Sequence, residues 1–423
     1  MPRTRAPRDP VTIWLDDEAV VAERGEPAVT ALVAAGRLAL ARSPKFHRPR
    51  GPTCLAGACE GCLARVNDVP NVMTCRVPAE EGLRIETQNV VGSRDTDLLR
   101  AADWFFPDGM NHHELMAGVP GIRRVVQGVA RQVAGIGRLP ALEPRMAEVP
   151  ARRRDADVLV VGAGAAGMTA AMELAKRGRH VEVVDDDLAP GGSAGVLARV
   201  GEAAWRTLLA AFEEQVAKGT IRLRLRTTAA GIYGDDVLVG GAENGPLEVV
   251  MARTLVLATG CHDGALAFEG NDLPGIMSAR AGCRLLGQGV APGRKIVMVV
   301  AEGDAGPFSA AFARAHPEAM RVIGLPLRAG GRASVKSVLV ATEDDGEREL
   351  ACDALLLEAP PAPAVGLAIE AGAEVTRARA GFFVTATPGG RVRDGVFALG
   401  EACGTALDPA AMTNSAIAMA ELV

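Results

Sequence analysis

The sequence predicts an α/β fold in which two units of alternating strands and helices follow a smaller, β-rich domain. Three observations carry this prediction. Short apolar strands surround four clustered cysteines near the start of the chain. Apolar strands and helices alternate from Asp157 onward, and a second alternation begins near Lys295. Such alternation indicates parallel sheets covered by helices, and a chain of 423 residues has room for two or three domains.

The first domain is expected to span residues 1–91 and to begin with two strands around the turn Asp16-Asp17. A helix, the cysteine loop and three short strands follow. The expected elements are the strands Val11–Leu15 and Glu18–Ala22, the helix Ala28–Ala41, and the strands Leu63–Asn67, Val69–Arg76 and Leu83–Gln88. This order is compatible with a ferredoxin-like β-grasp.

Residues 92–154 are expected to form a connector between the small domain and the α/β units. They lack strand alternation and contain five prolines, but one amphipathic stretch, Ile122–Ile136, predicts a helix. The basic stretch Arg152–Arg154 at the end of this connector is interpreted as a solvated linker.

The first α/β unit is expected to combine residues 155–265 and 389–423, and the second unit, residues 266–388, is inserted between them. Both begin with an apolar strand, a helix and a second strand, which is the signature of a parallel sheet. The expected elements are Asp157–Val161, the helix Gly167–Arg177, His180–Val184, Thr254–Gly260, Val396–Leu399 and the helix Met412–Leu422 in the first unit, and Lys295–Val300, the helix Phe308–Ala315 and Met320–Ile323 in the second.

Charge and hydropathy exclude several classes of protein. The formal net charge is −5, which argues against nucleic-acid binding. Residues 1–10 lack the apolar core of a secretory signal, and no run of 18 apolar residues provides a membrane span. Four of the eight cysteines are clustered, which is typical of a metal site rather than a disulfide framework. We therefore expect a cytoplasmic protein.

The clustered cysteines have the spacing of a plant-type [2Fe–2S] site. Cys54, Cys59 and Cys62 form a C-x4-C-x2-C loop, and Cys75 follows after twelve residues. Small residues such as Gly57 between these ligands let backbone N–H groups approach the sulfur atoms. Structural zinc sites prefer C-x2-C pairs at both ends, so zinc and unligated thiols are the alternatives.

A glycine-rich turn in the first α/β unit predicts a dinucleotide site. Gly162, Gly164 and Gly167 follow an apolar strand and open a helix, in the pattern G-x-G-x-x-G. Gly164 would let the backbone approach a pyrophosphate, whose charge the start of the helix favours. Asp185 ends the next strand, 23 residues after Gly162, where a carboxylate would accept hydrogen bonds from an adenosine ribose. The alternative is a tight turn without a ligand.

Three further pieces of sequence favour FAD over NAD at this turn. They are Gly191-Gly192 shortly after the second strand, Thr259-Gly260 at the end of a later strand, and Gly400-Glu401 at the end of the last strand. The last two resemble secondary fingerprints of flavoproteins with two dinucleotide-binding domains, in which an Asp at the position of Glu401 usually binds the ribityl chain. The predicted fold class is therefore an α/β two-dinucleotide-binding-domain flavoprotein (Rossmann-like, FAD/NAD(P)-binding) with an N-terminal β-grasp [2Fe–2S] ferredoxin-like domain.

The corresponding turn of the second unit departs from the fingerprint. Ala301 replaces the first glycine, and Gly324 stands at the ribose position. Glu302 and Asp304 place negative charge where a phosphate would bind. We therefore expect no tight NAD(P)H binding here, and a different nucleotide or weak vestigial binding is the alternative. The remaining cysteines form no dithiol motif and are interpreted as small buried hydrophobic residues: Cys261, Cys283, Cys352 and Cys403.

Four segments resemble a known family. They are Lys45–Gly51 (KFHRPRG), Asn67–Cys75 (NDVPNVMTC), Ala102–Met116 (ADWFFPDGMNHHELM) and Phe268–Met277 (FEGNDLPGIM). They are similar to segments of the sarcosine oxidase α subunit family and of related subunits in amino-acid dehydrogenases, such as hydrogen cyanide synthase and hydroxyproline or opine dehydrogenases.

The resemblance implies an electron-transferring subunit of a heteromeric amine or amino-acid oxidase or dehydrogenase. An amino-acid-oxidase-like flavoprotein β subunit, with further small subunits in some complexes, would be the partner that oxidises the C–N bond. FAD and a [2Fe–2S] cluster are implied in this chain, an FMN at a subunit interface stays open, and NAD is not expected. No catalytic residue is assigned, since none of the six histidines lies in an evident catalytic constellation. The alternatives are an NAD(P)H-dependent reductase acting alone and an assembly subunit with a structural cluster.

Overall fold

The computed structural model describes most of the chain outside the predicted connector. The described residues are 3–43, 47–88, 90, 92–94, 96–98, 150–240, 246–301, 306–342, 346–378 and 381–423. The predicted helix Ile122–Ile136, the segment Ala102–Met116, and Glu302 and Asp304 lie outside the described residues.

The N-terminal part of the chain contains a mixed sheet and one helix. Its elements are β1 (Pro10–Leu15), β2 (Glu18–Glu23), α1 (Ala28–Ala34), β3 (Ala41–Arg42), β4 (Pro49–Arg50), β5 (Leu63–Val66), β6 (Val69–Met73) and β7 (Arg84–Glu86). Five strands form the sheet in the order β2-β1-β7-β5-β6, with β1 parallel to β7 and the other neighbours antiparallel. Helix α1 packs against this sheet, which is the β-grasp arrangement that the sequence predicts.

Helix α1 is shorter than predicted. The expected helix Ala28–Ala41 ends at Ala34, because Gly36 adopts a left-handed conformation with a φ of +75°. The N–H of Gly36 donates to the carbonyl of Val33 at 2.9 Å, which closes the helix in the way glycine commonly does. The chain then leaves the helix and enters the short strand pair of β3 and β4.

The first α/β unit begins with a long strand and its crossover helix. Its elements up to the insertion are β8 (Arg152–Val161), α2 (Ala165–Lys176), β9 (Val181–Val184), α3 (Gly192–Arg199), α4 (Ala203–Ala217), β10 (Ile221–Arg224), β11 (Thr228–Tyr233), β12 (Asp236–Gly240), β13 (Glu248–Leu257) and β14 (Cys261–His262). Strands β10, β9, β8 and β13 are parallel neighbours, while β12 and β11 extend the sheet by antiparallel pairing.

The basic stretch before Asp157 is part of the sheet, so its interpretation as a solvated linker is wrong. Strand β8 begins at Arg152 and pairs with β13 from its first residue. The guanidinium of Arg154 lies 2.6 Å from Glu182 and 2.9 Å from Glu248, on the two neighbouring strands. These ion pairs offset the charge of the arginine within the sheet.

The second unit combines a parallel sheet with an antiparallel one. Its elements are β15 (Ile276–Ser278), α5 (Ala279–Gly287), β16 (Ile296–Val300), α6 (Pro307–Ala315), β17 (Met320–Ile323), β18 (Leu325–Gly331), β19 (Val335–Thr342), β20 (Gly346–Ala351) and β21 (Ala354–Glu358). The order β15-β21-β16-β17 is parallel throughout, and β18-β19-β20 form the antiparallel sheet.

The chain returns to the first unit earlier than predicted. The last elements are β22 (Ala362–Pro363), α7 (Gly366–Glu370), β23 (Glu374–Ala378), β24 (Gly381–Thr385), β25 (Arg391–Arg393), β26 (Val396–Ala398) and α8 (Pro409–Ala420). Ala368 and Val384 are buried in the same apolar cluster as Leu257 of β13. The inserted unit therefore ends near Glu358 rather than at residue 388, since α7 and β24 pack on the first sheet.

One apolar core joins the three parts of the chain. Leu32 of α1, Met168 of α2 and Phe312 of α6 are fully buried and belong to the same cluster. The N-terminal sheet is therefore packed on the α/β units. Among the described residues, no helix is long and apolar enough to cross a membrane.

Candidate functional site

The four clustered cysteines lie together in two pairs at one end of the N-terminal sheet. Cys54, Cys59 and Cys62 come from the loop before β5, while Cys75 lies in a 3-10 turn, Thr74–Arg76, where the sequence predicted a strand. Cys54 lies beside Cys59, and Cys62 lies beside Cys75. The neighbouring thiol lowers the pKa of Cys59 in the first pair and of Cys75 in the second.

Backbone N–H groups of the loop point at the sulfur atoms. The N–H of Ala56 donates to the Sγ of Cys54 at 3.3 Å, and that of Gly57 donates to the Sγ of Cys75 at 3.2 Å. Such donors stabilise negative charge on sulfur, as iron–sulfur sites require. No set of three or more His, Cys, Asp or Glu side chains in the described ranges is arranged to hold a single metal ion.

A cavity of about 430 Å³ runs from the cysteine loop along the glycine turn of the first α/β unit. Eight of the ten residues predicted to bind FAD line this cavity: Gly162, Gly164, Asp185, Gly192, Thr259, Gly260, Gly400 and Glu401. Cys54 and the small residues that follow it form part of the same wall. The structure thus brings the predicted cluster loop and the predicted dinucleotide groove to one cavity.

The glycine turn has the close contacts that its sequence predicts. Gly162 has a φ of +103°, and a methyl group on it would lie 2.3 Å from the carbonyl oxygen of Ala258. Gly167 does not line the cavity, but a methyl group on it would lie 1.8 Å from the Gly162 oxygen, so it allows α2 to pack against the turn. By contrast, no atom lies within 4 Å of such a group on Gly164. That open space at the start of α2 is where a pyrophosphate would fit.

Asp185 lies just beyond the end of β9. Its Oδ2 accepts a 2.6 Å hydrogen bond from the N–H of Ala163, and its Oδ1 accepts one of 2.8 Å from Asp187. Burial nevertheless raises the pKa of this carboxyl. The side chain is therefore held beside the glycine turn, where the sequence predicts a contact with an adenosine ribose.

The second predicted glycine pair supports the turn from the side. Gly191 has a φ of +114°, and its N–H donates to the carbonyl of Ala163 at 2.8 Å. It also forms a parallel bridge with Gly164. Gly192 lines the cavity at the start of α3. Gly191 does not line it, and contributes the backbone hydrogen bond to Ala163.

At the other end of the cavity, Glu401 faces the start of α3. Its Oε2 accepts a 3.1 Å hydrogen bond from the hydroxyl of Ser193. Burial raises the pKa of Glu401, although the charge of Arg280 acts in the opposite direction. Nearby, the hydroxyl of Thr259 donates to the carbonyl of Ala364 at 2.7 Å, which ties the end of β13 to the segment after the insertion.

Several residues of the cavity escaped sequence reasoning. Arg76, Asp187 and Arg284 line it beside the cysteine loop, and Arg280 lines it beside Glu401. Arg280 and Arg284 are four residues apart on α5, so their common face could have been recognised from helical spacing. The position of Arg76, directly after the last cysteine of the cluster, was a second unused signal.

The isolated cysteines differ among themselves. Cys283 and Cys352 are buried, and burial raises the pKa of Cys352 to about 11. Cys261 and Cys403 are only partly buried. Cys261 lines the cavity of about 430 Å³ beside the glycine turn. It also lines a second cavity, of about 420 Å³, that continues toward α6. The interpretation as buried hydrophobic residues therefore fits Cys283 and Cys352 better than the other two.

The start of α6, where a phosphate would bind in the second unit, is occupied by a carboxylate of the chain itself. Glu358 accepts hydrogen bonds from the N–H groups of Phe308 at 3.0 Å and Ser309 at 2.7 Å. A methyl group on Gly306 would lie 2.0 Å from the Glu358 carboxyl carbon, so the two are tightly packed. Two of the donors that a pyrophosphate would use are thus already satisfied.

Two family models match parts of this chain. Residues 8–90 match the family described as "2Fe-2S iron-sulfur cluster binding domain", and residues 156–300 match "Pyridine nucleotide-disulphide oxidoreductase". The fold is similar to that of L-proline dehydrogenase from P. horikoshii, with a TM-score of 0.70 and 22% identity over 95% of this chain and 70% of that one.

Curated relatives are subunits of oxidases and of a synthase. The sarcosine oxidase α subunit of Rhizobium meliloti is 30% identical over 309 residues, which are 67% of this chain and 31% of the relative. An opine oxidase subunit from Agrobacterium tumefaciens is 26% identical over 62% of this chain and 64% of its own. The hydrogen cyanide synthase subunit HcnB of Pseudomonas aeruginosa is 36% identical over 28% of this chain and 27% of its own.

The chain spans less than a third of the length of the sarcosine oxidase α subunits that it matches. The matches nevertheless agree in chemistry, since the named relatives are oxidase or synthase subunits and the two matched domains are an iron–sulfur domain and a flavin oxidoreductase domain. The chain therefore belongs to the sarcosine oxidase α subunit family of oxidoreductases, and it is also similar to the opine oxidase and hydrogen cyanide synthase subunits.

Proposed function

We propose that this chain is the electron-transferring FAD and [2Fe–2S] subunit of a heteromeric amine or amino-acid oxidase or dehydrogenase. The substrate would be of the sarcosine, proline or glycine type, and a partner flavoprotein would oxidise its C–N bond. The observation that carries this proposal is the shared cavity, which the cysteine loop and the dinucleotide groove line together.

Two thiol pairs would hold the cluster, Cys54 with Cys59 and Cys62 with Cys75. Three of the four sulfur-bearing residues are buried, with exposed fractions of 5% for Cys54, 0% for Cys62 and 2% for Cys75. Their burial keeps bulk water away from the sulfur atoms, and the loop N–H groups offset the negative charge there. The less buried Cys59 marks the side from which a cluster would be nearest to solvent or to a partner.

The groove would hold FAD along the glycine turn. Gly162 and Gly164 would lie under the pyrophosphate, and Asp185 would accept hydrogen bonds from the adenosine ribose. Thr259-Gly260 and Gly400-Glu401 line the far end of the cavity and would contact the ribityl and flavin part. Arg284 and Arg76 line the cavity beside the cysteine loop, where both pair with Asp187.

Electron transfer is the chemistry that this pair of cofactors supplies, since a bound flavin exchanges two electrons and a [2Fe–2S] cluster one. Few side chains around this cavity could act as a base that removes a proton from a substrate. Of the described residues that line the large cavity, His262 is the one histidine, and its side chain is exposed to solvent. We therefore place the C–N oxidation on the partner subunit.

A self-sufficient NAD(P)H-dependent reductase is the second candidate. Glu358 at the start of α6 argues against it, because a nicotinamide dinucleotide would have to displace or approach this carboxylate. Ala301 and Gly324 add two departures from the dinucleotide fingerprint in the same unit.

Co-expression with the neighbouring flavoprotein reading frame tests the proposal. The expected product is a stable complex in which a secondary amino acid, added without air, bleaches the flavin and then reduces the cluster. Rapid mixing with NADH alone is the control and should leave the flavin oxidised. Flavin bleaching by NADH, or amino-acid oxidation by this chain without the partner, would contradict the proposal.

A further inference from the structure

Arg76 connects the cysteine loop to the dinucleotide groove. Its Nη2 donates to the carbonyl of Ala56 at 2.8 Å, inside the loop. The same guanidinium forms ion pairs with Asp186 at 3.0 Å and with Asp187 at 3.3 Å, in the segment that follows β9. One side chain therefore contacts both walls of the cavity.

The guanidinium also lies directly against the loop backbone. A methyl group on Gly57 would lie 2.3 Å from the Nε of Arg76, and Gly57 has a φ of +72°, which favours glycine at this position. The N–H of Gly57 is the donor to the Sγ of Cys75. Arg76 thus packs on the backbone that supplies a hydrogen bond to a predicted cluster ligand.

Asp187, one of the two aspartates that pair with Arg76, is also held by other residues that line the cavity. Asp187 lies 3.0 Å from a second arginine, Arg284 of α5. Its N–H donates to Asp185, the residue predicted to bind the ribose. The segment 185–187 therefore touches the ribose position on one side and Arg76 on the other.

We propose that Arg76 is a positioning residue that holds the cysteine loop on the dinucleotide groove and raises the reduction potential of the cluster in that loop. This inference rests on the proposed cluster ligands. A reduced [2Fe–2S] cluster carries one more negative charge than the oxidised one, so a cation beside the loop stabilises the reduced form. The Arg76 side chain is 23% exposed, and its charge is therefore less screened than that of a surface arginine.

The same contact couples the cluster to the groove. A dinucleotide that binds Asp185 would contact the segment 185–187, and this segment holds the guanidinium of Arg76. Energetic coupling of this kind is reciprocal, so removal of FAD should shift the cluster potential, and the shift should shrink when Arg76 is lost.

An EPR-monitored redox titration of the whole complex tests this inference, with dithionite and mediators supplying one electron to the cluster. In Arg76→Gln, the reduction potential of the cluster should be more negative than in the wild type. Arg76→Lys keeps the charge and should shift this potential less. Arg50→Gln is the matched control, because Arg50 forms a comparable ion pair of 2.9 Å with Asp272 of the inserted unit but does not line the shared cavity. Its cluster potential should equal that of the wild type.

Asp186→Asn separates charge from loosening of the structure. The Asp186 side chain is 54% exposed, so the variant should fold, and it removes a negative charge instead of a positive one. We expect a shift to more positive potential, opposite to that of Arg76→Gln. Equal potentials in wild type and Arg76→Gln, or shifts in the same direction for both variants, would overturn the inference. A wild-type complex without a [2Fe–2S] signal would instead refute the proposed function.

Discussion

The carboxylate of Glu358 accepts a hydrogen bond of 2.7 Å from the backbone N–H of Ser309, in the first turn of α6. In a dinucleotide-binding unit that position receives a phosphate, because the first N–H groups of the helix have no partner within it. Here the end of β21 supplies the anion. The inserted unit thus has the parallel sheet and crossover helix of a dinucleotide-binding unit, but the Glu358 carboxylate occupies the position of the phosphate.

Replacement of Glu358 should therefore cost stability. Glu358→Ala removes both hydrogen bonds at the start of α6 and should lower the free energy of unfolding by about 1–2 kcal/mol, as loss of a helix cap does. The urea midpoint of unfolding measures this change. Glu349→Ala, on an exposed part of β20, is the control and should change the midpoint much less. Equal midpoints for the wild type and Glu358→Ala would show that the carboxylate has no capping role.

The Glu358 contact also illustrates what sequence patterns can predict. Strand and helix periodicity predicted both parallel sheets, and the Cys and Gly spacings predicted the residues that meet around the large cavity. Spacing along the chain contains no information about contacts between distant segments. Glu358 and Ser309, or Arg76 and Asp186, are brought together only by the packing of separate units.

Element boundaries failed where backbone conformation or pairing decided them. The helix α1 stops at Ala34 because Gly36 turns the chain, although the apolar pattern continues beyond it. The charges of Arg152–Arg154 predict a linker, but acidic residues on neighbouring strands hold Arg154 in the sheet. In both cases the composition of the segment predicts one structure, and a specific backbone conformation or ion pair produces another.

Loss of a cysteine from either thiol pair should abolish the cluster. Cys62→Ser replaces a fully buried thiol beside Cys75, and the purified chain should lose the visible absorption and the EPR signal of a reduced [2Fe–2S] centre. Iron and acid-labile sulfide should fall from about two of each per chain to near zero. Cys352→Ser, at a buried thiol in the inserted unit, is the control and should keep both. Retention of full iron content by Cys62→Ser would exclude Cys62 as a ligand.

Two alanine substitutions in the glycine turn should separate ligand binding from packing. Gly164→Ala adds a methyl group in open space, so it should preserve the unfolding midpoint but weaken FAD binding by filling the groove. Gly167→Ala places the methyl group 1.8 Å from the Gly162 oxygen and should destabilise the unit by about 1–3 kcal/mol. FAD content after gel filtration and thermal unfolding without FAD measure the two effects. Similar losses of both properties in the two variants would contradict the distinction.

The buried carboxyl of Glu401 should reduce the stability of the FAD-free protein at neutral pH. Burial raises the pKa of Glu401 in the folded state, so the folded protein binds this proton more tightly than the unfolded chain. Stability therefore falls as the pH rises from the ordinary glutamate pKa to the raised value. Glu401→Gln removes this dependence and should raise Tm by about 2–4 °C near pH 7.5, which corresponds to roughly 1 kcal/mol in a large domain. The gain should shrink as the pH approaches about 4.3, the ordinary glutamate value.

Thermal scans from about pH 4.5, just above the ordinary glutamate pKa, to about pH 8 measure the difference. Glu421→Gln, which removes the same charge at an exposed position near the end of α8, is the control. A Glu401→Gln variant that loses stability at neutral pH would indicate that the ionised carboxylate is stabilised by its neighbours after all.

The ion pairs of Arg154 should contribute stability that acid removes. Burial acts to raise the pKa of Glu248, but hydrogen bonds from Arg224 and Arg154 outweigh it, so the pKa in the folded state is lowered. A lowered carboxyl pKa stabilises the folded protein above the ordinary value of about 4.3, and this contribution disappears as the pH falls through the lowered value. Arg154→Gln should therefore cost about 1–2 kcal/mol at pH 7 and less in acid.

The neighbouring Arg153 provides the matched control for Arg154. Its side chain is 62% exposed and pairs with Asp236, so Arg153→Gln should cost well under about 1 kcal/mol. Urea unfolding at about pH 7 and at about pH 3, well below the ordinary glutamate pKa of about 4.3, compares the two variants. Equal costs at both positions would mean that the place of Arg154 between β9 and β13 adds nothing to an ordinary surface ion pair.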